Sequence, residues 1–155
     1  MTSYSLTISV IIITRNRAKS LKDTLASLAI QTRFPDEVVV VDNASTDTTR
    51  EVVASFSKQL NIKYVYEPQK GIPYARNAAL RNATGNIIAS LDDDCIADQD
   101  WLSNLEIPFI RDPGIGAVGG EVSFIKMGNS ELENFYIKNM VSRGRKTSND
   151  NPDTI

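Results

Sequence analysis

The chain has 155 residues, 41% of them apolar and 23% charged, with a net charge of -2. This is enough for one domain with a core and ordinary for a soluble globular protein, and it leaves no basic field for nucleic acid or anionic lipid. No histidine is present, which excludes His-based triads and His-ligated zinc, and the single cysteine, Cys95, excludes an internal disulfide.

No apolar run approaches the ~20 residues of a membrane span. The first residues, Met1-Thr2-Ser3-Tyr4-Ser5, lack the basic and apolar pattern of a signal peptide. With the cysteine usage, these features place the expected compartment in the cytoplasm.

Leu6 to Ile13 is rich in β-branched residues and reads as a strand buried on both faces. Thr14-Arg15-Asn16-Arg17 is a polar turn. Leu21, Leu25 and Leu28 then recur at helical spacing, and Arg33-Phe34-Pro35-Asp36 ends that helix. Glu37 to Val41 is a second buried strand, ending at Asp42. Asn43-Ala44-Ser45-Thr46-Asp47 is turn and cap chemistry. Thr48 and Glu51 have capping-box spacing, and Val52, Val53, Phe56 and Leu60 give the next helix its apolar face.

Ile62 to Tyr66 alternates, as a strand near a sheet edge does. Gly71 to Leu80 is a loop running into an alanine-rich helix, with Gly85 suited to the position after its end. Asn86 to Leu91 reads as a buried strand. Asp98 or Asp100 can cap a helix carrying Trp101, Leu102 and Leu105, which Pro108 shortens or kinks. Ile115 to Ile125 reads as a further strand broken by Gly119-Gly120. Leu132, Phe135, Tyr136 and Met140 suggest a last amphipathic helix, followed by a polar tail.

Alternation of strand and helix at this rate gives an α/β fold, an open and mostly parallel sheet flanked by helices. In such a sheet the C-terminal strand ends share one edge, where ligands bind. Thr14, Asp42 and the acidic run Asp92-Asp93-Asp94 all follow strands and would converge there. Three adjacent carboxylates repel, and a chain carries them either solvated in a loop or holding a hard cation. Arg76, near the start of its helix, is placed to reach a phosphate or the base-binding loop. Taken singly, each residue has a plain reading: Asp42 as a cap, Arg76 as a solvated helix residue, Thr14 and Asn16 as turn residues. Their shared sheet edge favours a site.

Other strings carry less. Gly114-x-Gly116-x-x-Gly119 matches a dinucleotide fingerprint, but Arg111-Asp112-Pro113 stands where a strand is needed. No P-loop is present. Ile96 and Ala97 stand where a calcium loop needs a ligand and a glycine.

Four ordered segments resemble family 2 glycosyltransferases of the GT-A fold: Ser9 to Arg17, Val40 to Asp47, Gly71 to Asn77 and Leu91 to Asp94, followed by Trp101-Leu102. The resemblance runs from about Ser9 to about Phe124. It implies a Rossmann-like nucleotide-sugar-binding fold, incomplete at the C-terminus. It also implies a metal-dependent inverting transferase that uses a nucleotide-diphosphate sugar, UDP-linked, with Mn²⁺ or Mg²⁺.

The resemblance would put Thr14 and Asn16 beside the nucleotide, Asp42 on the nucleobase and Arg76 holding the nucleotide. Asp92 and Asp94 would form the D-x-D motif, with Asp92 near the ribose and both able to ligate the metal. Asp93 would lie on the nucleotide side. The acceptor, whether glycan, lipid-linked or protein, stays unnamed, as does the role in cell-wall or polysaccharide synthesis. A place at the inner membrane face is compatible with this chemistry.

Three residues depart from the family pattern. Ile13 replaces a common proline, and Arg15 replaces an aromatic residue, although it could still stack on a base. Cys95 is unusual beside a hard-cation site and reads as a small buried residue, not a ligand.

The expected division is residues 1–126 for donor binding, 127–142 as a helix beginning an acceptor region, and 143–155 as a tail. The catalytic base is expected outside this chain, and a sheet short of strands would leave an edge favouring self-association. A non-catalytic nucleotide-binding module is the alternative. A nucleotidyltransferase is disfavoured because Thr14-Arg15-Asn16-Arg17 has no glycine.

Overall fold

β1 (Ile8–Thr14) is the centre of the sheet, and all but one of its residues are buried. The computed structural model describes residues 6–120 and 122. In chain order β1 is followed by α1 (Ala18–Leu28), β2 (Glu37–Asp42), α2 (Thr49–Ser55), β3 (Ile62–Tyr66), α3 (Ile72–Asn82), β4 (Ile87–Ser90) and α4 (Trp101–Arg111). The four strands lie in the order β3-β2-β1-β4, and every pair is parallel. The expected α/β sheet is therefore present, with β3 at an edge as its alternation suggested.

Strand alternation sends side chains to two layers. Ile8, Val10, Ile12, Val38, Val40, Ile87 and Ala89 meet Leu21, Leu25, Leu28, Val53, Phe56 and Leu102 on one face. Ile11, Val39 and Val41 meet Ala75, Ala78 and Ala79 of α3 on the other. The small alanines let α3 lie close over β1 and β2. α3 does not extend over β4, so Ile88 is 44% exposed and β4 is buried on one face only. Its apolar sequence had suggested burial on both.

Local corrections have simple causes. The capping box at Thr48 does not form; instead the Asp47 carboxylate takes the amide and hydroxyl of Thr49 at 3.1 and 2.5 Å. The same carboxylate accepts the Ala18 amide at 3.0 Å, so one side chain caps the first turns of α1 and α2. At α4 neither acid caps a helix amide: Asp98 accepts from Asp100 N, and Asp100 accepts from the Thr32 hydroxyl. Helix α4 runs through Pro108 to Arg111.

Gly85 lies beyond the α3 cap at Ala83 and serves close packing instead. A Cβ there would sit 2.6 Å from both the backbone nitrogen and the hydroxyl of Ser9.

The chain divides into two units at Pro113 and Gly114, and all the elements above belong to the first. In the second, residues 114–120 and 122 form neither helix nor strand. The strand expected from Ile115 is thus absent there. The glycine-rich run carries a high ordering cost, and no strand among the described residues pairs with it. Residues 121 and 123–125 of that strand and the expected helix at Leu132 to Met140 lie outside the described residues.

Candidate functional site

The parallel register brings the expected strand ends together. Thr14 and Asp42 are register partners at the ends of β1 and β2, and the Asp92–Asp94 turn follows β4 on the other side of β1. The strand order changes direction at β1, so the crevice opens at a topological switch point.

Asp42 is 3% exposed and held from both sides. The Tyr64 hydroxyl donates to its Oδ2 at 2.6 Å, and the Ser45 amide donates to its Oδ1 at 2.8 Å. Burial, and then the neighbouring Asp42 carboxylate, push the Tyr64 hydroxyl well above its ordinary pKa. It remains a neutral donor at any physiological pH. Thr14 is buried beside Asp42, and its Oγ1 has no hydrogen-bond partner among the described residues.

Asn16 does loop work. Its Oδ1 accepts from the Thr46 amide at 2.7 Å, while its own amide donates to the Ser45 hydroxyl at 2.9 Å. The turns after β1 and β2 are thereby tied to each other. Each contains a non-glycine residue with positive φ, Asn16 at 53° and Ala44 at 57°. Left-handed backbone of this kind is costly for alanine and collects at functional loops.

Asn43 joins β2 to the segment before α3. Its Nδ2 donates to the carbonyls of Glu67 and Gln69 at 3.1 and 2.7 Å, and its Oδ1 accepts from Gly71 N at 2.7 Å. Gly71 has φ 139°, a conformation that favours glycine, and begins the helix that carries Arg76. Arg76 is exposed, and its side chain makes no hydrogen bond or ion pair among the described residues.

The acidic turn divides its three carboxylates. Asp93 is 7% exposed and faces inward, whereas Asp92 and Asp94 are exposed. Arg17, between β1 and α1, donates to Asp94 Oδ2 at 2.6 Å and to Asp93 Oδ1 at 3.2 Å through one Nη1. The Asp94 hydrogen bond, then the Asp93 charge, raise the already high pKa of Arg17.

One ligand atom each from Asp92, Asp94 and Cys95 lies within 4.8 Å of the others. Two exposed carboxylates at that spacing suit a hard divalent cation. The Cys95 thiol is pushed up by burial and then by the charges of Asp92 and Asp94. Cys95 was expected to be a small buried residue and not a ligand; it is half-buried, with its sulfur close to both carboxylates.

Arg17, Asn43, Tyr64 and Cys95 were not singled out from sequence as part of the site. Arg17 carried a signal: a cation at a helix N-terminus opposes the helix dipole unless an anion compensates it. Two cavities of about 220 and 240 Å³ lie away from the acidic turn. Tyr64 lines the first with Arg50 and Ile62, and the second opens between Ser9, Glu37 and Thr84.

Against known proteins, the sequence pattern described as glycosyl transferase family 2 matches residues 9–154. The chain belongs to glycosyl transferase family 2. It is 42% identical over 108 residues to validoxylamine A glucosyltransferase of Streptomyces hygroscopicus subsp. limoneus, a match covering 67% of this chain and 24% of the relative. As a glycosyl transferase family 2 chain it also resembles solved structures. S. aureus TarS 1-349 in complex with UDP aligns at TM-score 0.66 and 30% identity, covering 78% of this chain and 40% of that one.

A mannosyltransferase, PcManGT from Pyrobaculum calidifontis, in complex with GDP-Man and Mn²⁺, aligns at TM-score 0.64 and 34% identity. That alignment covers 80% of this chain and 36% of the mannosyltransferase. The chain therefore spans less than half the length of each of these relatives. Among the described residues no helix is long and apolar enough to cross a membrane.

Proposed function

We propose that this chain binds the nucleotide-activated donor in a glycosyl transfer, in the crevice above β1, β2 and β4. The observation that carries the reading is the convergence of Asp42, Thr14 and the Asp92–Asp94 turn on one sheet edge. Family membership supports it, as do two structural relatives solved in complex with UDP and with GDP-Man and Mn²⁺.

In this reading Asp42, fixed by Tyr64 and Ser45, presents its remaining lone pairs to the N–H edge of a nucleobase, uracil for a UDP-linked sugar. Thr14 and the Asn16-linked turns form the wall beside it. Arg76, free of protein partners among the described residues, reaches a phosphate. Asp92 and Asp94 would hold Mn²⁺ or Mg²⁺, and Asp92 also borders the ribose. Asp93 sits on the nucleotide side and acts through Arg17. When bound, the cation supplies Lewis-acid stabilisation of charge on the diphosphate.

The transfer itself breaks the bond between the anomeric carbon and the diphosphate oxygen. A new bond forms from an acceptor oxygen with inversion, and the acceptor proton passes to a base. That base is proposed to lie outside residues 6–120, because the carboxylates of this crevice are committed to Tyr64, Arg17 or the cation site. The acceptor is a hydroxyl-bearing glycan, lipid-linked saccharide or protein.

Calorimetric titration of UDP tests the donor site, with Mn²⁺ and then with EDTA, on the chain and on Asp94→Ala. Binding that requires Mn²⁺ and fails in the variant is expected. Equal binding in all arms, or none in any, overturns the reading.

A further inference from the structure

We propose that Arg17 is a built-in rival of the divalent cation for Asp94, so that cation and diphosphate enter the crevice together. The inference rests on the donor-site reading above and concerns what the acidic turn does when empty.

The Asp92–Asp94 turn has three carboxylates, and Arg17 bridges two of them. Its contact with Asp94 is the shorter, at 2.6 Å. Asp94 is also one of the two carboxylates whose oxygens converge with Cys95. A cation taking Asp94 must therefore displace the guanidinium or share the carboxylate with it, one on each oxygen. Either course places a single positive charge against a double one.

The side chains of Arg17 and Asp94 are 53% and 54% exposed, so the ion pair is weak and its partners can exchange. The side chain of Asp93 is 9% exposed, and it keeps one anchor for Arg17 inside the fold. Once released from Asp94, the guanidinium remains beside the crevice with donors free for phosphate oxygens. A diphosphate then compensates both Arg17 and the cation. Without it, the cation alone meets a turn that is already partly neutralised.

Two opposite effects follow from Arg17→Gln. The nucleotide-free protein should bind Mn²⁺ about tenfold more tightly, on the scale of unit and double charges a few ångströms apart in a water-like medium. UDP at saturating Mn²⁺ should bind more weakly, because a phosphate partner is gone. Arg17→Lys restores the charge and should return Mn²⁺ affinity close to that of the parent chain.

The experiment follows free Mn²⁺ by electron paramagnetic resonance in the nucleotide-free full chain and both variants, with UDP calorimetry at saturating Mn²⁺ and a thermal melt of each. Tighter Mn²⁺ with weaker UDP in Arg17→Gln supports the proposal, as does loss of the Mn²⁺ difference at high salt. Weaker binding of both ligands with a lowered melt shows Arg17 to be structural only and overturns it. Unchanged Mn²⁺ affinity overturns it while leaving the donor site standing. Absence of Mn²⁺ binding in every nucleotide-free protein, Arg17→Gln included, overturns this inference, and the donor-site reading falls with it only if UDP also fails to bind at saturating Mn²⁺.

Discussion

Removing the Asn43 side chain should loosen the segment leading into α3. Asn43 is 4% exposed and makes three hydrogen bonds, to the carbonyls of Glu67 and Gln69 and from Gly71 N. A net hydrogen bond contributes about 1 kcal/mol, and a buried group left unpaired costs more. Three such bonds give about 3 kcal/mol as an upper figure, and water reaching exposed Gln69 lowers the expected loss in Asn43→Ala to about 2 kcal/mol.

Asn43→Asp retains the acceptor for Gly71 but turns an anionic oxygen toward two carbonyls. It should cost at least as much near neutral pH and less once the carboxyl is protonated. Urea unfolding at constant m reads the difference in stability. UDP calorimetry should show weaker binding in both variants, since Gly71 begins the helix carrying Arg76. A loss below about 0.5 kcal/mol in Asn43→Ala would refute the reasoning, because the three contacts would then be worth less than one ordinary bond.

Other outcomes are also specific. Ala44→Gly should stabilise the chain by about 0.5 kcal/mol, since relief of strain at φ 57° outweighs the greater freedom of the unfolded glycine; a lowered urea midpoint would contradict this. Gly85→Ala should cost about 1–3 kcal/mol by forcing a Cβ against Ser9, and an unchanged melting temperature would count against the close approach. Glu37 is raised by burial but pulled below its ordinary 4.5 overall by the Ser9 hydroxyl and the Thr84 amide and hydroxyl. Its folded pKa is therefore depressed, so its contribution is present above 4.5 and lost as pH falls through the native value. Stability measured against pH should accordingly fall less steeply on the acid side in Glu37→Gln than in the parent chain.

Most of the sheet was legible because its strands obey a local rule. Leu6 to Ile13 and Glu37 to Val41 are short, β-branched and apolar, and β3 alternates as an edge strand does. The site was legible to the extent that topology decides it: once the sheet is parallel, Thr14, Asp42 and Asp92–Asp94 must share an edge.

Other features depend on side chains meeting across the fold. Nothing local to Arg17 says that its partners are Asp93 and Asp94, more than seventy residues away. Asp47, and not Thr48, serves the start of α2, and it reaches α1 as well, which a window around Thr48 cannot show. Ile88 was expected to be buried because its strand is apolar. Its exposure follows from where α3 packs.

The central claim is that one crevice holds the nucleotide, with the cation on Asp92 and Asp94. A crystal of the chain with UDP and Mn²⁺, recorded at the manganese absorption edge, tests it most directly. The expected map shows an anomalous peak bound by Asp94 and Asp92 with the uracil beside Asp42. Manganese bound elsewhere, or UDP seated in the cavity between Arg50 and Tyr64, would contradict it.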